Sequence, residues 1–325
     1  MQSKKSNSGR VRLVTSTIAM LCNRWVRLPY SPHMKVYLHP NTNSKGIVRV
    51  ADALTKYMPS SCELVDYASE ADLEIIHVIG RRDTLQRRID KINREHRHYA
   101  MIQYVLRSSK NPDCHDWIDM WNGAKLVWSY YDLKELCNAD EIDDTRFGFY
   151  YAPLGVDSTV FKDLKIVNKP FIVGACSKHA LAEGARECAF ASKITYKKMF
   201  FLGHELRRGN DIVCKSKLTD GQVAIYWNQC RFVSGLRRIE GFEFPVIEGA
   251  LCGAIPIVYD RPEMRKWFNE FAIFIPEGTR DQVIDYLTNI FLVDGVMSIT
   301  QSMKDLIKDR FNWETIIKGF WERIL

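Results

Sequence analysis

The segment from Arg238 to Val258, reading R-I-E-G-F-E-F-P-V-I-E-G-A-L-C-G-A-I-P-I-V, gathers more potential chemistry than any other part of the chain. Pro245 suits the first position of a helix, where a missing N–H costs nothing. Gly253 suits the end of that short helix, and a buried strand follows. The N–H groups at such a helix start have no carbonyl to bond, and approached past Gly241 they form a pocket for a diphosphate. Gly241, Phe242, Glu243 and Phe244 would line it. The spacing puts Glu248 in the first turn, where its carboxylate accepts hydrogen bonds from a ribose diol. Glu240 falls just outside the helix, where it meets a sugar hydroxyl. Either glutamate taken alone reads as a solvated carboxylate. Helix, glycine and strand together outweigh that reading.

Such a site needs a rigid sheet behind it, and strands and helices do alternate along the chain. Lys35–His39 reads as a strand. After a loop over Pro40–Gly46, the residues Ile47, Val50, Ala51, Leu54 and Met58 share one helical face. Strands are expected near Cys62–Val65, Leu73–Val78 and Ala100–Val105, with a basic helix over Asp83–Glu95, and again at Lys125–Trp128 and Phe149–Ala152. A second set follows Pro170: Phe171–Gly174, Lys198–Gly203, Gln222–Tyr226, Phe232–Ser234, Ile255–Val258 and Ala272–Ile275. Alternation of this kind implies parallel, doubly wound sheets, so the class is α/β with two Rossmann-like halves. Gly46 ends the loop after the first strand and would border the cleft. His77, at the carboxyl end of a buried strand, lies on the side where ligands bind open parallel sheets; a core histidine is an equal reading.

The Glu-x7-Glu pattern of Glu240 and Glu248 resembles the signature of the family-four glycosyltransferases. "YAPLGVDSTVF" (Tyr151–Phe161) is similar to that family's hinge segment. "FIVGACSK" (Phe171–Lys178) resembles the first strand of its second domain, and "RFNWE" (Arg310–Glu314) the start of its last helix. The resemblance spans roughly residues 34–325. It implies a GT-B fold, with two Rossmann-like domains facing across a cleft and a C-terminal helix crossing back to the first. The domains would be a basic extension (1–33), an acceptor domain (34–165), a nucleotide-sugar domain (166–309) and the returning helix (310–325). It further implies transfer of a hexosyl or pentosyl unit, with retention, from a nucleoside diphosphate sugar to an acceptor hydroxyl. Walls around Gly203, His204 and Tyr226 would select the base.

Two positions depart from the family pattern. Where its members carry an Arg and a Lys, this chain has Ala175 and Ala180, so Lys178, Arg186, Arg237 or Arg238 must neutralise the leaving diphosphate; Lys178 and Arg238 are the assigned candidates beside Glu240. The family's sugar-facing histidine is missing from Met101–Arg107. No Asp-x-Asp ends an apolar strand, which fits a metal-independent transferase without a cofactor. A catalytically degenerate nucleotide-sugar binder and a sugar-nucleotide epimerase are the competing readings.

With 325 residues, 46% hydrophobic and 26% charged, the chain is long enough for two cored domains. No run approaches the roughly 20 apolar residues of a transmembrane helix. Nine cysteines without a C-x-x-C pair argue against structural zinc and for reduced thiols in a cytoplasmic protein. Lys4, Lys5, Arg10, Arg12, Arg24 and Arg27 stand in residues 1–33 with no Asp or Glu. Arg81, Arg82, Arg87, Arg88, Lys91, Arg94, Arg97, Arg107 and Lys110 follow in the first half. Such a distribution suits a polyanionic acceptor, for example DNA with hydroxymethylated bases. A glycan or an anionic lipid competes, since Val11–Leu28 is apolar between arginines and could lie on a membrane surface. A soluble saccharide with incidental charge is the plain alternative.

Overall fold

The computed structural model describes residues 33–39, 44–79, 82–106, 117–136, 148–177, 184–203, 211–238, 241–293 and 298–325. Two six-stranded sheets, parallel throughout, organise them. The first holds β1 (Met34–Leu38), β2 (Cys62–Leu64), β3 (Leu73–Val78), β4 (His98–Gln103), β5 (Leu126–Ser129) and β6 (Gly148–Tyr151), in the order β2-β1-β3-β4-β5-β6. The second holds β7 (Phe171–Cys176), β8 (Lys198–Leu202), β9 (Ile212–Lys215), β10 (Cys230–Gly235), β11 (Ile255–Tyr259) and β12 (Ile273–Ile275), ordered β12-β11-β10-β7-β8-β9. Strand order reverses between β1 and β3 in one sheet and between β7 and β10 in the other. At such switch points the carboxyl ends of the strands leave a crevice.

Helices cover both sheets. In the first lobe they are α1 (Lys45–Lys56), α2 (Arg82–Arg94), α3 (Ile118–Asn122) and α4 (Leu133–Leu136). The second lobe has α5 (Ala185–Ile194), α6 (Asp220–Asn228), α7 (Phe244–Leu251), α8 (Pro262–Phe268), α9 (Arg280–Leu292) and α10 (Gln301–Arg310). The last helix, α11 (Trp313–Ile324), belongs by contact to the first lobe: Tyr150 donates its hydroxyl hydrogen to the Ile316 carbonyl at 2.8 Å, and Phe320 packs 5.7 Å from Trp128. Its inward stripe of Ile316, Ile317, Phe320, Trp321 and Ile324 is buried, each side chain contributing roughly 1.5–3 kcal/mol.

The chain therefore passes between lobes twice, and the two passages touch. Val156 donates its N–H to the Phe311 carbonyl at 2.8 Å and forms a bridge with Asn312. Trp313 lies so close to Gly155 that a Cβ there would stand 2.3 Å from the indole.

Three sequence expectations change. Gln222–Tyr226 is not a strand but the middle of α6. Its start carries a capping box, with the Thr219 N–H on Gln222 Oε1 at 2.9 Å and the Gln222 N–H on Thr219 Oγ1 at 3.3 Å. Gly46 is not in the loop but is the second residue of α1. Glu248 stands in the second turn of α7 rather than the first, because the helix begins at Phe244 with Pro245 second. The extension up to Pro32, including Val11–Leu28, lies outside the described residues.

Candidate active site

Helix α7 is set down tightly on its sheet. A Cβ on Gly249 would meet the Val233 side chain at 2.4 Å, so only glycine allows this approach to β10. Because α7 follows β10 directly, its start stands at the carboxyl end of the sheet. Pro245 has no N–H and the Val246 N–H is taken by the Glu243 carbonyl at 3.2 Å, which leaves the amides up to Phe244 without a helical carbonyl. The other lobe meets the same place. Gly241 packs flat on Tyr131, where a Cβ would stand 2.4 Å from the ring, and Phe242 stacks 5.5 Å from Tyr130. Trp267 of α8 donates its indole N–H to the Tyr130 carbonyl at 2.9 Å.

Several expected site residues find structural duties here. Phe242 is buried among Tyr130, Phe268 and Phe311. Glu243 is buried and paired with Arg237, Oε2 to Nε at 2.9 Å, so it brings backbone to the helix start rather than a carboxylate. The Phe244 ring leans on Gly46, where a Cβ would lie 3.0 Å from it. Arg238 spreads over the Tyr259 ring at 5.1 Å and bonds Glu277 and the Gly278 carbonyl, both at 3.2 Å. Gly203 is pressed against the Ser177 carbonyl, at 2.5 Å from an ideal Cβ. Glu240, Lys178 and His204 lie outside the described residues, and so does Ala180.

Glu248 is 3% exposed and held from two sides. Trp227 donates its indole N–H to Oε2 at 3.2 Å, and the Arg49 Nη1 donates to Oε1. Arg49 comes from α1, in the other lobe. Its guanidinium also forks onto Asp220, with Nε to Oδ2 at 3.0 Å and Nη2 to Oδ1 at 2.8 Å. The rings of Phe161 and Phe244 flank it at 5.7 and 5.4 Å. Burial pushes the Glu248 carboxyl up, against the pull of Arg49 and Trp227. Burial weakens the Arg49 cation less than Glu248 and Asp220 strengthen it, so Arg49 stays charged. Arg49, Asp220 and Trp227 carry no linear signature; what the sequence offered was the Thr219/Gln222 cap that starts α6 and places Asp220 and Trp227.

Buried polar atoms without partners mark where a ligand would bond, because nearly all such atoms are satisfied in folded proteins. Among the described residues four of them sit at the carboxyl edges of the sheets: His77 Nε2 at the end of β3, Ser177 Oγ just past β7, Tyr259 OH ending β11, and Glu187 Oε2 in the first turn of α5. The other ring nitrogen of His77 lies 2.9 Å from the Tyr104 hydroxyl. Burial, and then the charge of nearby His39, drive the imidazole down to about 4, so it is neutral at physiological pH. Among the described residues no three His, Cys, Asp or Glu side chains are placed to hold a metal ion, and no helix is long and apolar enough to cross a membrane. The described cysteines are free thiols.

The basic stretch of the first lobe divides in two. Arg88 and Arg97 turn inward onto Glu74, which is fully buried on β3; the Arg88 Nε bond measures 2.8 Å, Arg97 bonds the other oxygen, and His39 lies 3.0 Å away. Burial alone would raise Glu74, but these partners hold it below the usual carboxylate range. Arg87, Lys91 and Arg94 stay on the exposed face of α2.

Two parallel doubly wound lobes with a returning C-terminal helix define the GT-B fold of glycosyltransferases, and solved structures bear this out. HepE from Anabaena, in complex with UDP-glucose, superposes with a TM-score of 0.68 at 13% identity, covering 89% of this chain and 99% of that one. The sucrose-phosphate synthase of Thermosynechococcus elongatus gives 0.67 at 12%, with coverages of 89% and 98%. An E. coli trehalose-6-phosphate protein bound with UDP-2-fluoro glucose gives 0.64 at 7%, with coverages of 90% and 98%. No family model and no curated protein sequence matches the chain.

Proposed function

We propose that the protein is a retaining glycosyltransferase that moves a sugar from a nucleoside diphosphate sugar to an acceptor hydroxyl. The observation that carries this reading is the meeting of the two sheets' carboxyl edges at the start of α7. Buried Glu248 and four unpartnered polar atoms gather around those edges. The fold's likeness to proteins solved with UDP-glucose and UDP-2-fluoro glucose supports it.

The second lobe binds the donor. Glu248 accepts hydrogen bonds from the ribose hydroxyls, and Gly203, His204 and Tyr226 wall the base. Amides over Gly241–Phe244, with Lys178 and with Arg238 drawn off its Glu277 partner, meet the charge that grows on the leaving diphosphate. Glu240 contacts the sugar near its reacting carbon. His77, neutral and offering Nε2 from the first lobe, bonds the sugar or the incoming hydroxyl. The acceptor oxygen attacks the anomeric carbon on the face the diphosphate leaves. The new C–O bond forms as the old one breaks, and the acceptor proton passes to the departing phosphate oxygen. No metal ion enters this scheme.

Release of free nucleoside diphosphate from a mixed nucleotide-sugar pool, with a matching mass gain on an acceptor, is the expected result. Its absence with every common donor counts against an active transferase. Glu240→Ala separates enzyme from binder: turnover is lost in the first case, and nucleotide binding barely changes in the second.

The acceptor is proposed to be a polyanion such as hydroxymethylated DNA, met by the exposed Arg87, Lys91 and Arg94 of α2. Removing one cation that pairs with a phosphate should lower the salt dependence of binding by about one unit of slope. Charge reversal at Arg87 and Lys91 is the suitable probe, because Arg88 is committed to Glu74. Sugar transfer to a glycan or lipid, with no DNA bound at low salt, would reject this acceptor and leave the transferase reading standing.

A further inference from the structure

Arg49 joins the two lobes at the carboxylate that the proposed function assigns to the ribose. We infer that Arg49 is a positioning residue for the nucleotide: reaching over from the first lobe, it holds the Glu248 carboxylate in the orientation that reads a ribose diol. The inference rests on the nucleotide-sugar reading of that site.

The geometry leaves little freedom. A carboxylate offers two lone pairs on each oxygen. Arg49 takes one on Oε1 and Trp227 takes one on Oε2. One acceptor direction then remains on each oxygen, which matches the two vicinal hydroxyls of a ribose. Both occupied directions are fixed by rigid donors, so the free ones are fixed as well.

Arg49 is itself anchored. Its other edge forks onto Asp220, the first residue of α6, where the helix start favours a negative charge. The Thr219–Gln222 capping box holds that helix start, and the Phe161 and Phe244 rings lie beside the guanidinium at 5.7 and 5.4 Å. A lysine has donors for both carboxylates but not the planar fork that fixes their geometry. The ribose reader of the second lobe is therefore set by a side chain of the first, and nucleotide affinity depends on how the lobes are docked.

Ribose selectivity tests this, since a purely structural ion pair would leave it unmoved. Calorimetric affinities for UDP, GDP and ADP and their 2′-deoxy counterparts would be compared in wild type, Glu248→Gln, Arg49→Ala and Arg49→Lys, with thermal unfolding recorded for each. In wild type the preferred ribonucleotide should bind roughly 10- to 100-fold tighter than its 2′-deoxy form, the range expected for hydrogen bonds to a charged group. Glu248→Gln and Arg49→Ala should each remove most of that preference, with a smaller loss of deoxynucleotide affinity because its 3′-hydroxyl still meets the same carboxylate. Arg49→Lys should keep part of it. If Arg49→Ala does not fold, Asp220→Asn, which loosens Arg49 without touching Glu248, should reduce the preference in the same direction. Full preference in a folded Arg49→Ala or Asp220→Asn, alongside its loss in Glu248→Gln, overturns the inference and spares the site. Preference surviving in Glu248→Gln, or no nucleotide binding at all, overturns the site and the inference with it.

Discussion

Burial and the charge of His39 keep the His77 imidazole near a pKa of about 4, against 6.5 for a free side chain. A depressed value in the folded state means stability that is present above pH 6.5 and lost as the pH falls toward 4. At about 1.4 kcal/mol per unit, on the order of 3 kcal/mol should disappear across that window. Denaturant midpoints at pH 7 and pH 4.5 measure it, and His77→Gln, which keeps a partner for Tyr104, should flatten the difference. An unchanged acid limb in His77→Gln would assign the loss to other groups. Residues of this kind were half legible in the sequence. The placing of His77 near a strand end and of Glu248 in a helix was legible in the sequence, whereas the reach of Arg49 was not. Its partners lie 171 and 199 positions away, and nothing local to α1 distinguishes an arginine that crosses to another lobe from a solvated one.

Helix α2 shows how a charged run can hide two different functions. The helix lies within a residue of its expected bounds, and the structure gives it a core stripe of Leu85, Ile89 and Ile92. What spacing could not tell was that Arg88 turns with the stripe, toward a glutamate inside a strand. Removing one partner of a buried ion cluster costs about 3–5 kcal/mol, so Glu74→Ala should lower stability by that order, and Arg88→Ala by somewhat less since Arg97 remains. Arg87→Ala, on the outer face, should stay within about 0.5 kcal/mol. Urea unfolding of the three variants checks the split, and equal effects at Arg87 and Arg88 would refute it. Helix α6 was misread for a different reason: Val223-Ala-Ile-Tyr-Trp227 is apolar enough for a buried strand, and an apolar run that short has no diagnostic period. The Thr219-x-x-Gln222 cap was the signal to weigh.

At the scale of the molecule, the parallel class and the returning helix were legible because strand–helix alternation and the "RFNWE" segment are linear patterns. The junction between lobes was not, because it is built from single residues of distant segments. Gly241, where an added Cβ would stand 2.4 Å from Tyr131, is one of these. Gly241→Ala should drive a methyl group into the Tyr131 ring, part the lobes and weaken nucleotide turnover, with a larger radius of gyration in solution scattering. Tyr131→Ala in the same chain should reverse both effects, and failure of that rescue would place the defect elsewhere. The doubled passage between lobes, Val156 beside Asn312 and Gly155 beneath Trp313, has its own mechanical outcome. Two strands of chain fastened side by side make a pivot, and displacement on opening grows with distance from it. Phe161 follows one of those passages in the chain and the Phe244 ring lies 6.4 Å from Trp313, so the guanidinium beside both rings sits near that pivot. On the proposed reading, a rotation about that pivot would carry remoter parts of the two sheets' carboxyl edges apart while the Arg49–Glu248 bond holds, so the residues proposed to read the ribose would stay together between rounds of exchange.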